Sequence, residues 1–237
     1  MALQIIGRLS SNFVRAVCMV AQEKGVPYEN ISAAPHSDEV KALNPLGLIP
    51  TMRHDGLDLV ESTAIARYID TAFDGPALIP TDPREAAPVN RWIGTVSSSV
   101  DQMIMRRYVV EYAFHKDKDG NVVRDVIDKT VRRLPKMFAF LDAAVAPGYL
   151  GGNSFTMADC FLTPILMSAQ KFPEGQENMA NSPNLQSYFA TMSERDSFKN
   201  TAIPDDSRLL IVTFGSPQDS SELRWSATGP CLGYSPV

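Results

Sequence analysis

Residues 44–69 read NPLGLIPTMRHDGLDLVESTAIARYI, and the run divides into strand, tight turn, strand and helix. Ile49-Pro50 opens Thr51-Met52-Arg53, which suits a strand. A proline cannot donate to a sheet ladder, so Pro50 must stand at the strand's first residue or at its edge. The X-Pro bond is also the one bond type that adopts cis at modest cost. Asp55-Gly56 between two apolar runs predicts a hairpin turn. Leu57-Asp58-Leu59-Val60 returns as the second strand, and Glu61-Ser62 opens a helix running through Ala64-Ile65-Ala66-Arg67-Tyr68-Ile69. Such a helix start carries unpaired N–H groups and the positive end of the helix dipole, which together make a ready anion site.

Upstream, Leu3-Gln4-Ile5-Ile6 reads as a first strand. Residues 12–24 read as a helix with an apolar stripe at Phe13, Val14, Val17, Cys18, Val20 and Ala21, ended by Gly25. A second strand over 26–32 and a short helix over 38–43 follow. The order β-α-β-α-β-β-α is that of a thioredoxin-like α/β domain over 1–74. Pro76, Pro80, Pro83 and Pro88 mark 75–88 as a linker, with Thr81-Asp82-Pro83 as a helix-start signal. No strand is readable from there to about 207. Helices are expected over 83–112, 124–145, 156–168 and 184–194, so 89–204 reads as an all-α domain. Thr156 and Asp159 form an S/T-x-x-D box at the start of one of these helices. Residues 205–237 form an extension of unknown role, holding a strand-like Leu209-Leu210-Ile211-Val212 and then Ser, Gly and Pro-rich sequence.

The pattern N-P-x-G-x-I-P, then the hairpin, then E-S-x-A-I-x-x-Y-I, resembles the glutathione-binding half of cytosolic glutathione transferases. The Thr156–Asp159 box and the run 192–198 extend the resemblance into the second domain. It implies that Pro50 is cis and that the Ile49 backbone pairs with the cysteinyl part of glutathione like an added strand. It further implies that Glu61 and Ser62 hold the amine and the carboxylate of the γ-glutamyl end. His36 lies where the family often places a residue for the glycyl carboxylate. A segment around Met103, Arg107 and Tyr108 falls where relatives line the electrophile pocket. Arg106 is a further polar candidate there, and Asp101 is expected to reach across a subunit boundary. The family forms two-fold dimers, so a homodimer is expected.

Glutathione's thiol has a pKa of about 8.5 on the cysteine scale, and only the thiolate is nucleophilic. A transferase must stabilise that anion with a hydroxyl donor and a helix start. Ser10, Ser11 and Asn12 stand immediately before the first helix. No tyrosine or cysteine occurs from 7 to 15, which leaves a serine-type mechanism similar to that of the phi class or a related bacterial class. Ser11 is the first choice of activator, then Ser10, with Asn12 as a further donor. Glutathione-dependent peroxidase or reductase work, and a non-catalytic glutathione-binding module, stay open as alternatives. A glutaredoxin-like reaction would want Cys-x-x-Cys over 10–13.

The 237 residues are 44% hydrophobic and 21% charged, the balance of a globular protein with a real core. A net charge of -5 offers no basic field for nucleic acid. No apolar run approaches the roughly 18 residues of a spanning helix, and the first residues read as a strand rather than a secretory leader. Three cysteines of unmotivated spacing exclude a disulfide framework and fit a reducing cytoplasm. His36, His54 and His115 form no metal-ligand pattern; the last two read as surface residues.

Overall fold

The computed structural model describes residues 2–203. Its first half is a four-stranded sheet, β1 (Leu3–Ile6), β2 (Tyr28–Ile31), β3 (Thr51–His54) and β4 (Leu57–Val60), in the order β2-β1-β3-β4. β1 runs parallel to β2 and antiparallel to β3, and β3 is antiparallel to β4. Side chains alternate across the sheet. Leu3 and Ile5 therefore face one layer, while Ile6 faces another with Ala33 and Val40. Helices α1 (Asn12–Glu23) and α3 (Ser62–Ala72) cover the first face, and the single turn α2 (Asp38–Lys41) carries Val40 to the second.

The β3–β4 turn forms as its Asp-Gly chemistry requires. Asp55 and Gly56 both take positive φ, 46° and 83°, the condition for a hairpin turn that matches strand twist. Leu78 and Ile79 amides in the connection between the halves donate to Asp70 at 2.9 and 3.1 Å. Asp70 also faces Lys24 Nζ at 3.4 Å, both side chains being buried.

The second half is helical, and its first helix starts at Pro83, within the stretch read as linker. Asp82 caps it by accepting the Arg84 and Glu85 amides. The helix runs without a break through α4 (Pro83–Thr95), a π-wound segment Val96–Val109 and α5 (Val110–Phe114). At the end of the wide segment the Val110 amide donates to the Met105 carbonyl, five residues back. The expected helix over 124–145 is two helices, α6 (Asp125–Val131) and α7 (Leu134–Val145). Pro135 explains the break: it has no amide to donate and belongs in a first turn. Then come α8 (Met157–Ala169), α9 (Pro173–Ala180), α10 (Pro183–Ser193) and α11 (Asp196–Lys199). α9 and α11 are helices that the sequence reading did not delimit. The 205–237 extension lies outside the described residues.

One continuous core joins the halves. It runs from Leu3 and Met52 of the sheet through α1 and α3 to α8 and α10. α1 is enclosed along its length, packing on α3 and β1 on one side and on α8 and α11 on the other. Buried Arg15 of α1 donates to the Phe198 carbonyl at 3.1 Å and to the Thr201 hydroxyl at 3.3 Å. At the helix's far end Glu23 accepts from Arg195 at 2.7 Å and also from the Ser197 hydroxyl. α8 begins on the expected box. Asp159 Oδ2 accepts the Thr156 amide at 2.8 Å and the Thr156 hydroxyl at 3.3 Å. Its Oδ1 accepts the Leu150 amide at 2.8 Å and the Tyr188 hydroxyl at 3.0 Å.

Candidate active site

The sheet register brings the predicted residues together. Ile6, Thr51 and Val60 lie in one cross-strand row. At that single end of the sheet β1 leaves toward Ser11, β3 arrives from Pro50, and β4 leaves toward Glu61. Adjacent strands are about 4.8 Å apart, so all three exits lie within roughly 10 Å along the row. The Ile49-Pro50 bond is cis. A side chain on Gly7 would fall 2.6 Å from Val14 and 3.0 Å from Ile49, so the loop after β1 lies directly against Ile49. The Gly7 amide donates to the Ile31 carbonyl, and Asn30 donates to the Ile5 and Gly7 carbonyls, fixing that loop.

Two helix starts open here. At α1, Ser11 is the N-cap, and its hydroxyl oxygen accepts the Val14 amide in a long 3.5 Å contact. At α3, Glu61 is the N-cap with φ 70° and makes no side-chain cap bond. A non-glycine residue in that region costs on the order of 1–3 kcal/mol. Glu61 is exposed, so its carboxylate is not spent on the helix. Neither helix has an acidic residue in its first turn, whereas α2, α4 and α8 carry Asp38 and Glu39, Glu85 and Asp159. The first turns of α1 and α3 hold no acid, and the exposed Glu61 cap stands at the start of α3.

The loop before Pro50 is braced from inside, a role the sequence reading missed. Buried Asn44 donates to the Leu48 carbonyl at 3.0 Å and accepts the Leu46 amide at 3.1 Å. The signal was present, since an Asn before a Pro-Gly loop commonly bonds the backbone ahead of it. Among the described residues, the Ile49 backbone makes no main-chain hydrogen bond. It is therefore open to an added strand. His36 stands across this loop, exposed, at φ 62°, with its amide donating to the Gly47 carbonyl at 2.8 Å. Its ring covers Gly47 so closely that a Cβ there would fall 2.3 Å from Nδ1.

The other donors differ in position. Ser10 is exposed and, with Leu9, Asn12 and Arg15, lines a cavity of about 10 Å³ against Pro164, Ser168 and Lys171. Asn12 is buried and donates to Asp101 at 3.1 Å. Asp101 is thus held inside its own chain, and its second oxygen accepts from Arg106 at 3.0 Å. Met103 is half-buried against the core and Arg107 is exposed. Tyr108 is a correction. Its ring is wholly enclosed, and its hydroxyl donates to Glu174 at 3.2 Å and accepts the Gly175 amide at 2.7 Å. It cannot line an open pocket, because this packing consumes it. His54 is likewise not a surface residue: it pairs with the Tyr68 hydroxyl at 2.7 Å and packs on Phe73.

Family models described as the glutathione S-transferase N-terminal and C-terminal domains match residues 5–77 and 103–196. Glutathione S-transferase 3 of Zea mays is 30% identical over 216 residues, covering 83% of this chain and 91% of its own. The chain belongs to the glutathione S-transferase family. Another relative of this transferase is glutathione S-transferase GstB of Escherichia coli K12, 27% identical over 208 residues, covering 83% of this chain and 96% of its own. A solved theta-class glutathione S-transferase from Xanthomonas axonopodis pv. citri, with glutathione bound, superposes with a TM-score of 0.73. It is 28% identical and covers 85% of this chain and 97% of that one.

Neither described cysteine of the transferase is a nucleophile. Burial pushes the Cys18 thiol up to about 12, against a lowering contact with Tyr28, and burial holds Cys160 well above its usual range. Among the described residues no group of three His, Cys, Asp or Glu side chains could hold a metal, and no helix is long and apolar enough to cross a membrane.

Proposed function

We propose that this transferase binds glutathione across the shared sheet end, activates its thiol at the start of α1, and conjugates it to small electrophiles. One observation carries the reading: two helix starts with no acid in their first turns, and a strained Glu61 that makes no side-chain cap bond, meet at the cis Ile49-Pro50 bend. Glu61 takes the γ-glutamyl amine and the Ser62 end of α3 takes the γ-glutamyl carboxylate. The Ile49 backbone pairs with the cysteinyl unit, and His36 serves the glycyl carboxylate.

Ser11 is the activating group. Its oxygen receives the Val14 amide, which leaves its own proton available to the sulfur. Donation to the thiolate, reinforced by the α1 dipole, lowers the thiol pKa toward neutrality. The thiolate then attacks an electrophilic carbon, and the leaving group departs with the bonding electrons. Ser10 lies on the α8 side, and Asn12 already donates to Asp101. Both therefore stand second to Ser11. The protein works as a homodimer in a reducing cytoplasm.

The test is the ultraviolet absorbance of bound thiolate against pH, wild type beside Ser11→Ala. The expected result is thiolate near neutrality in wild type and a titration displaced upward in the variant, with a rate loss on the order of 100-fold. Persistent thiolate in Ser11→Ala transfers the role to Ser10 or Asn12. Bound glutathione without thiolate in wild type replaces the enzyme reading with a binding module.

A further inference from the structure

Around the start of α1 the structure builds a second constellation, which uses Arg106, the further polar candidate of the sequence reading. Asp101 is buried, its side chain 8% exposed, in the π-wound segment. One of its oxygens accepts from Asn12 at 3.1 Å and the other from Arg106 Nε at 3.0 Å. Arg106 is half-exposed, and its guanidinium lies over the Phe13 ring, 6.0 Å from the centroid. Asn12 and Phe13 are the first two residues of α1, adjoining the Ser11 cap.

The orientation of the guanidinium decides what it can do. Asp101 takes the Nε edge and leaves the outer pair of nitrogens. Among the described residues those nitrogens have no hydrogen-bond partner. The outer pair of an arginine matches the two oxygens of a carboxylate and forms paired, charge-assisted bonds. A buried carboxylate behind the side chain and an aromatic ring beneath it restrict its motion, so less rotamer entropy is lost when a ligand arrives.

We infer that Arg106, restrained by Asp101 and Phe13, reads a carboxylate on the electrophile, so that the site prefers acidic electrophiles whose anionic group stands a few bonds from the reacting carbon. This rests on the glutathione site proposed above. Asp101 is a positioning residue, acting through Arg106. A benzylic halide bearing a ring carboxylate fits the requirement. The glutathione sulfur forms a bond to the benzylic carbon while the carbon–halogen bond breaks, and the halide leaves with the electron pair. The carboxylate takes no part in the bonds that change.

The test compares two glutathione conjugates of equal length, S-carboxypropylglutathione and S-butylglutathione, by calorimetric titration of the full chain. Wild type is expected to bind the carboxylate conjugate roughly tenfold more tightly. Arg106→Met is expected to lose that preference, Arg106→Lys to keep part of it as a point charge, and Asp101→Asn to give an intermediate ratio. Turnover of bromomethylbenzoate against its methyl ester should show the same ratios in kcat/KM. Equal affinity of the two conjugates in wild type overturns the inference, as does a preference that survives Arg106→Met. If neither conjugate nor glutathione itself binds, the glutathione site is wrong and the inference falls with it. Glutathione binding with no conjugate preference removes this inference alone.

Discussion

The starts of α3 and α8 are made from the same materials, an acid and a hydroxyl, and are put to opposite uses. At α8, Asp159 is fully enclosed, and its two oxygens receive two amides and two hydroxyls. Burial pushes its carboxyl upward, and the donors around it oppose that shift. At α3, Glu61 is exposed, makes no cap bond and sits at φ 70°. The acid at α8 satisfies its own helix and is finished. The acid at α3 is held in an unfavourable backbone region and makes no side-chain hydrogen bond among the described residues. Saturation suits a folding element, and an unspent acceptor under strain suits the binding role proposed for Glu61.

Breaking the saturated start should have the larger effect. Asp159→Ala strands the Leu150 and Thr156 amides and the Tyr188 hydroxyl, and should cost about 3 kcal/mol or more in thermal unfolding. Glutathione affinity of the molecules that remain folded should not change. If Asp159→Ala cost no stability, the contrast between the two helix starts would collapse. Glu61→Gly reverses the pattern. Glutathione affinity should fall at least tenfold with loss of a charge-assisted contact, while release of the positive φ should raise stability by about 1 kcal/mol. Calorimetry and thermal melts on one preparation read both signs. Thr156→Ala removes only a hydroxyl from the saturated box and should cost about 1 kcal/mol.

The smallest effect concerns pH. Glu23, half-buried, is pushed up by burial, but the Arg195 guanidinium and the Ser197 hydroxyl outweigh this and hold it below its ordinary 4.5. A depressed acid contributes stability above its unfolded value and loses it as the pH falls through the folded value. Melting temperature should therefore decline below about pH 4.5. Arg195→Gln should flatten that limb. An unchanged acid limb in the variant would show that this carboxylate belongs with the unspent kind.

The sheet end around Pro50 and Glu61 was legible because its signals are local and covalent: a proline, an Asp-Gly turn, and an acid-hydroxyl pair before an apolar helix. Each dictates backbone geometry within a few residues, and the register of three strands then unites them. The surroundings of residues 101–108 were not legible, because they depend on helix phase. The resemblance offered Met103, Arg106, Arg107 and Tyr108 together. The π winding and the Glu174 contact enclose Tyr108 and leave Arg106 beside Asn12. The join at Arg132 is marked in the sequence by Pro135, which belongs in a first turn. Asp101 could not be placed from sequence, since its partner Asn12 lies 89 residues away.

Helix α1 leads a double life. Its start adjoins the proposed thiol site, one flank belongs to the sheet half, and the other flank is gripped by the helical half through Arg15 and Glu23. Swapping the helical half for that of a relative would leave a guanidinium and a carboxylate stranded inside the new junction. A grafting programme for new substrate ranges should therefore move α1 together with α8, α10 and α11, and cut within the strands rather than at the proline-rich connector.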